Sequence, residues 1–369
     1  MIDFHSAASV ACRFALGGKI LRMARHTGGH IHDSYVIRAG REGKETRYLL
    51  QRINRTVFAQ PEQLMENVVH VTRHLTRELE RAGASEAERK ALRLVPALSG
   101  KDWHEDARGN FWRMFVYIEN TFALDRATAP EEIFQAARAF GEFQRLLANY
   151  DGPPLHETIP HFHDTPRRLA DFESAAQSAR RKRAMKAQEE IRAVRQQASL
   201  AAALEQARAR GALPTRIVHN DAKLSNVLFD AATRQAICVV DLDTTMPGVA
   251  PFDFGDMMRS MLSPAAEDDP AEVEIRLPWF EALVSGYFEA AREFLQPGEI
   301  ECLVASGKVI TYEQALRFLT DYLRGDCYYV VQRPGQNLDR CRAQLRLLEA
   351  IVRQERELEE IVRRLAGRH

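Results

Sequence analysis

The chain has 369 residues, enough for two lobes with a sizeable core. Lys plus Arg (51) equals Asp plus Glu (51), so no global basic field exists to hold nucleic acid or an anionic membrane surface. Cys12, Cys238, Cys302, Cys327 and Cys341 are scattered and form no C-x-x-C pair. They argue against a disulfide framework or a zinc site and fit a reducing, cytoplasmic compartment.

Taken in chain order, the N-terminus does not read as a signal peptide. Asp3 and His5 stand where positive charge should lie, and Arg13 interrupts the apolar stretch 7–16. No apolar run reaches the roughly 20 residues that span a bilayer. Thr27-Gly28-Gly29-His30 is a glycine turn, a weak signal by itself. Strands are expected over 34–39 and 47–53, joined by the polar turn Arg41-Glu42-Gly43-Lys44. A helix follows Pro61, with Leu64, Val68, Val71, Leu75 and Leu79 on one face. Residues 111–119 return as a strand. This is a small lobe of sheet plus one helix, residues 1–119, with the boundary at Asn120-Thr121.

The second lobe is residues 120–369, and from Thr128 the pattern turns helical. Thr128 suits a cap, Pro130 a first turn, and Ala136, Phe140, Phe143 and Leu147 line one face. Residues 167–210, rich in Ala, Arg, Gln and Glu, predict a largely solvated helical region. His161-x-His163-Asp164 has the residue types of a metal site. Asp164-Thr165-Pro166 reads better as a helix start. A last helix is expected over about 338–365, with Cys341, Leu345, Leu348 and Val352 on its stripe. Arg317 and Asp321 are spaced i, i+4 on a helix that Gly325 should end, a spacing that suits a surface ion pair.

The informative segment is 217–243. His219-Asn220-Asp221-x-Lys223-x-x-Asn226 leads into two short apolar strands, 227–229 and 237–240, around a turn at 230–235, and Asp241 follows. In an antiparallel hairpin, Asn226 at the entry and Asp241 at the exit become neighbours. An amide oxygen and a carboxylate then make a pair of hard ligands for Mg²⁺. Asp221, five residues before Asn226, can face a hydroxyl beside that metal. The spacing is that of the kinase catalytic loop, H-R-D-x-x-x-x-N followed by a metal-binding Asp. It assigns Asp221 as base or orienter of an acceptor hydroxyl, and Asn226 and Asp241 as metal ligands. Lys223 would neutralise charge on the transferring phosphoryl group. His219 is expected to hydrogen-bond the loop. Asp253-Phe254-Gly255 spells a kinase metal motif but follows no apolar strand. Asp253 is therefore expected to fix a loop or cap a helix.

With those blocks in place, the chain resembles the aminoglycoside phosphotransferase and choline kinase superfamily. The later blocks, 241–248, 252–256 and Arg317 to Tyr328, are most similar to the bacterial N-acetylhexosamine 1-kinases within it. The resemblance implies an α+β, protein-kinase-like fold with a small β-rich N-lobe and a larger helical C-lobe. It implies ATP and Mg²⁺ as cofactors and a small-molecule sugar as substrate, with no nucleic-acid or membrane partner. By the same resemblance Gly28 and Gly29 cover the nucleotide phosphates, and Asp241, Thr244, Arg317 and Tyr328 contact the sugar. The wider pattern places a Lys on the second strand, paired with a helix Glu such as Glu66. This chain has Gln51 and Arg52 there, as candidates on the nucleotide side. The alternative acceptor is another small alcohol: an aminoglycoside, choline, methylthioribose or homoserine.

Overall fold

The computed structural model describes residues 4–26 and 31–367. Helix α1 (Phe4–Ala11) precedes strands β1 (Lys19–Arg25), β2 (Asp33–Arg41) and β3 (Lys44–Arg52). Then come α2 (Pro61–Arg81), a short α3 (Ala87–Lys90), β4 (His104–Glu105) and β5 (Phe111–Val116). These strands form one antiparallel sheet in the order β1-β2-β3-β5-β4. The β2–β3 turn is tight because Glu42 and Gly43 both take positive φ (55° and 81°), which matches strand twist in a two-residue hairpin.

Alternation along the strands separates the two faces of the sheet. Tyr35, Ile37, Ala39, Tyr48, Leu50, Trp112 and Met114 pack under α1 against Ala7, Val10 and Ala11. Leu49, Phe111 and Phe115 pack with Leu64, Met65 and Val68 of α2 on the other face. The predicted stripe of α2 is buried throughout, at Leu64, Val68, Val71, Leu75 and Leu79. The strand expected to reach residue 119 stops at Val116, and β6 (Thr121–Phe122) pairs instead with the second half of the chain.

The helical part begins with α4 (Pro130–Leu147), α5 (Thr165–Ser178), α6 (Arg181–Lys186), α7 (Gln188–Gln196) and α8 (Ala203–Ala209). Strands β7 (Arg216–Val218), β8 (Val227–Asp230), β9 (Ala236–Val239) and β10 (Met246–Gly248) follow. The chain ends with α9 (Ala250–Met261), α10 (Leu277–Ala291), α11 (Pro297–Glu301), α12 (Leu303–Arg324), α13 (Gln336–Arg353) and α14 (Glu355–Ala366). Thr128 is not the N-cap of α4; that position is Ala129. Thr128 instead donates from both its N–H and its hydroxyl to Glu132 in the first turn. The 167–210 region is less solvated than expected, because Phe172, Ala175 and Val194 are buried with Tyr312 and Phe318 of α12.

The last helix is two helices. The chain turns at Gln354, and Val352 is exposed. The turn lets Leu358, Ile361 and Val362 join the core around α10, while Glu355 pairs with Lys308 of α12. No helix among the described residues is long and apolar enough to cross a membrane. The five cysteines are free.

Candidate active site

The loop from His219 to Asn226 leaves β7, which pairs with β10, and enters the β8–β9 hairpin. Asn220 takes a left-handed conformation (φ 63°) that Asn tolerates better than most residues. Side chains from elsewhere hold the loop in that shape. Asp253 of α9, fully buried, accepts the backbone N–H groups of His219 (2.9 Å) and Asn220 (2.7 Å), and also Gln144 Nε2 (2.7 Å). Asp253 thus fixes the loop rather than facing a ligand. Gly255 lets α9 lie close enough for this, since a Cβ there would meet the Ser306 carbonyl at 2.6 Å. Thr244 Oγ1 donates to the His219 carbonyl (2.7 Å). His219 donates from Nε2 to the Val240 carbonyl (2.9 Å), while its Nδ1 accepts the Asp221 N–H (3.3 Å). Both imidazole nitrogens are engaged in the loop, which leaves none for proton transfer.

The hairpin brings its ends together as the spacing predicts, for Val240 N donates to the Asn226 carbonyl at 2.9 Å. Asp221 Oδ2 accepts from Lys223 Nζ (2.6 Å) and Asn226 Nδ2 (2.9 Å). Oδ1 has no partner among the described residues. Burial works against ionisation of Asp221, but Lys223, aided by His219 and Arg259, holds its carboxyl well below the usual carboxylate range. Lys223 in turn is raised against burial by Asp221 and Asp241.

Asn226 directs Nδ2 to the Asp221 carbonyl and carboxylate, so Oδ1 is left over. Asp241 sits at φ 61°, and its carboxylate makes no hydrogen bond or ion pair among the described residues. Burial and the neighbouring Asp243 push its carboxyl above the usual range, against the pull of Lys223. An unpartnered carboxylate and a spare amide oxygen suit Mg²⁺, which takes one or two protein oxygens and completes its shell from water and phosphate. Among the described residues no cluster of three His, Cys, Asp or Glu side chains forms a metal site, and His161, His163 and Asp164 make other contacts. Asp164 caps α5 by accepting the Arg167 N–H (3.0 Å).

Asp243, two residues past Asp241, is the opposite case. Arg113 of β5 grips it with both terminal nitrogens, and His32 donates to it from Nε2 while His32 Nδ1 accepts the Asn54 N–H (3.1 Å). Arg113 and Asp243 are each only 2% exposed at the side chain. Despite burial, Arg113 and His32 keep the Asp243 carboxyl well below the usual range. The β-sheet register explains how Arg113 is aimed. Ser34, Gln51 and Arg113 lie side by side across β2, β3 and β5. Gln51 Oε1 accepts Arg113 Nε (3.0 Å) and Gln51 Nε2 donates to Ser34 Oγ (3.2 Å).

Gln51 is therefore held within the sheet, and Arg52, on the other face, pairs with Asp33. Glu66 bonds His156 rather than any strand residue. Gly28 and Gly29 lie outside the described residues. Arg113 links the sheet to the hairpin, one strand over from the position where the wider kinase pattern has a Lys. Its signal in the sequence is an arginine inside the apolar run 111–116.

On the acceptor side, Arg317 of α12 lies over the rings of Phe162 (5.1 Å) and Tyr329 (5.8 Å) and donates to Gln314 (3.2 Å). It forms no ion pair with Asp321. Asp321 instead accepts the backbone N–H groups of Cys327, Tyr328 and Tyr329, which folds that segment back past the Gly325 helix end. Tyr328 is 57% exposed, whereas its neighbour Tyr329 packs against Arg317 and Phe318. Tyr329 is a residue that spacing did not single out.

A profile of the phosphotransferase enzyme family matches residues 22–297. Among solved structures, the aminoglycoside phosphotransferase of Alicyclobacillus acidocaldarius is similar with a TM-score of 0.58 and 15% identity, over 95% of this chain and 96% of that one. A spectinomycin phosphotransferase in complex with ADP and spectinomycin gives 0.58 at 12% identity, over 95% and 99%. A choline kinase from Cryptosporidium parvum gives 0.55 at 13%, over 90% of each chain. At these identities the likeness is one of fold, and the fold is the two-lobe, protein-kinase-like one.

Proposed function

The chain belongs to the phosphotransferase enzyme family, and from that premise we propose that it transfers the γ-phosphoryl group of ATP to the anomeric hydroxyl of an N-acetylhexosamine, giving the sugar 1-phosphate. The observation that carries the transfer chemistry is the state of Asp221. One carboxylate oxygen is fixed by Lys223 and Asn226, and the other is open for an acceptor hydroxyl. A carboxylate held so far into its ionised form is a weak base. Its work is to orient the hydroxyl, with the proton leaving late, as a loose phosphoryl-transfer transition state requires. An anomeric hydroxyl, more acidic than other sugar hydroxyls, suits such a base.

Asn226 Oδ1 and Asp241 are the residues that would hold Mg²⁺. When bound, that ion neutralises charge on the β- and γ-phosphate oxygens. Lys223 adds a fixed positive charge beside both carboxylates. Gly28 and Gly29 are assigned to cover the nucleotide phosphates, and Gln51 and Arg52 to shape the nucleotide side through their partners in the sheet.

The acceptor class rests on Arg317, Thr244, Asp241 and Tyr328. Arg317 carries a positive charge that forms no ion pair among the described residues, and it lies over two rings. Such a surface disfavours a cationic aminoglycoside or choline and favours a neutral sugar with hydrogen-bond acceptors. The test is ATP consumption across hexosamines, neutral hexoses, aminoglycosides and small amino alcohols, followed by analysis of the product. A 1-phosphate has no reducing end and is labile in mild acid. A product that still reduces alkaline copper contradicts the position. Turnover with another alcohol and no hexosamine contradicts the sugar and leaves the kinase chemistry standing.

A further inference from the structure

His163 lies between α4 and α5 and is buried, with 6% of its side chain exposed. Its Nε2 meets the Asn220 carbonyl at 3.0 Å and its Nδ1 meets Glu313 Oε1 of α12 at 2.9 Å. Both partners are acceptors, and a neutral imidazole carries only one N–H. The arrangement therefore holds one proton more than a neutral His beside a carboxylate. Glu313 is itself completed by Thr165 Oγ1, which donates to Oε2 at 2.6 Å. Phe162 and Phe252 pack their rings on the imidazole at 4.8 and 4.7 Å and keep it from tilting.

The peptide being gripped is the one that precedes Asp221. Asn220 is left-handed, its N–H is fixed by Asp253 and its side-chain amide by Thr244 O. Its carbonyl is the remaining backbone polar group, and His163 is what holds it. A small rotation of that peptide swings the Asp221 carboxylate, and displacements on the order of 1 Å at a reacting centre cost about 100-fold in rate. We propose that His163 is a positioning residue, clamping the Asn220 carbonyl to Glu313 and so setting the direction of Asp221. This role rests on the kinase reading of Asp221 given above.

The groups facing the imidazole set the direction of its titration. Glu313 comes from α12 and Asp256 from α9, while Asp164 and Arg168 lie on its own segment. Burial opposes the charge, but Glu313, the Asn220 carbonyl and Asp256 raise His163 above its ordinary value. With a raised value the clamp is fully present below about pH 6.5 and is lost as pH climbs past the raised value.

His163→Phe keeps the ring packing and removes both donors, and His163→Gln keeps one donor. In the full chain, His163→Phe should lower kcat by about 30- to 100-fold with ATP KM changed less than about threefold, and His163→Gln should recover part of the loss. The alkaline fall in wild-type kcat should vanish in His163→Gln. Wild-type kcat in a folded His163→Phe, or an unchanged alkaline fall in His163→Gln, would overturn the role. Amide exchange of Asn220 and Asp221 decides the matter without any acceptor. It should quicken by at least about tenfold in His163→Phe, and unchanged exchange contradicts the clamp. An inactive wild type counts against the kinase reading alone, because exchange still tests the clamp.

Discussion

Asp241 and Asp243 stand two residues apart at the exit of one hairpin, both largely withdrawn from water, and their surroundings differ completely. Asp243 is saturated, with Arg113 on both oxygens and His32 beside it, and its carboxyl is driven well below the usual range. Asp241 has no partner among the described residues, and burial drives its carboxyl up. A buried carboxylate with all its partners in the chain is a strut, here between the sheet and the hairpin. One with none is a cost to the fold that a bound cation removes. In partners alone the same contrast separates Asp253, filled by three donors although burial still raises its carboxyl, from Asp221, which keeps one oxygen open.

The largest effect should come from the open pair. Asp221→Asn or Asp241→Asn should lower kcat by about 10³-fold or more. Asp241→Asn should nevertheless fold at least as stably as wild type at neutral pH. A carboxylate with a raised value destabilises the fold once ionised, so a neutral amide removes that cost. A lower urea midpoint for Asp241→Asn would make that residue a strut.

Next in size is Asp243→Asn, which leaves the Arg113 guanidinium buried without its counter-charge. The expected loss is about 3–5 kcal/mol, seen as a lower urea midpoint with unchanged slope. The sign with pH follows from the depressed value. Stability from Asp243 is present above the unfolded value of about 4 and lost as pH falls through the folded one. The gap between wild type and Asp243→Asn should therefore shrink in acid. A constant gap down to pH 2 would remove the ion pair as its cause.

Smaller again is Lys223→Met. Without the ammonium, Asp221 should titrate higher, and the acid limb of kcat should move up by about one unit or more. An unmoved limb would detach Lys223 from Asp221. Smallest is Gln51→Ala, which leaves Arg113 with Asp243 and removes the side-chain bonds to Arg113 and Ser34, for about 1–3 kcal/mol by denaturation. A loss as large as that of Asp243→Asn would mean that Gln51, not the sheet register, aims Arg113.

Much of this was legible in the sequence because its signals are local. The tight hairpin at Glu42-Gly43, the stripe of α2, the meeting of Asn226 with the exit of β9 and the bland role of Asp253 all follow from spacing and turn chemistry. Contacts made across the lobes were not legible. Arg113 reaches Asp243 over 130 positions and His163 reaches Glu313 over 150, and no periodicity announces either pair. Nor does spacing tell that Asp321 turns from Arg317 to three backbone N–H groups, which leaves Tyr329 rather than Tyr328 beside that arginine. No local signal marks the break at Gln354, because both flanking stretches are good helix formers and the turn is imposed by packing on α10.

The most direct test of the contrast between open and filled carboxylates needs no acceptor. Mn²⁺ binding in the presence of a non-hydrolysable ATP analogue, followed by the EPR signal of the free ion, compares wild type, Asp241→Asn and Asp253→Asn. The account predicts that Asp241→Asn loses at least about tenfold in ion affinity while Asp253→Asn, whose carboxylate is filled by the loop and Gln144, stays within about threefold. Equal losses in the two variants, or a larger one in Asp253→Asn, would contradict it.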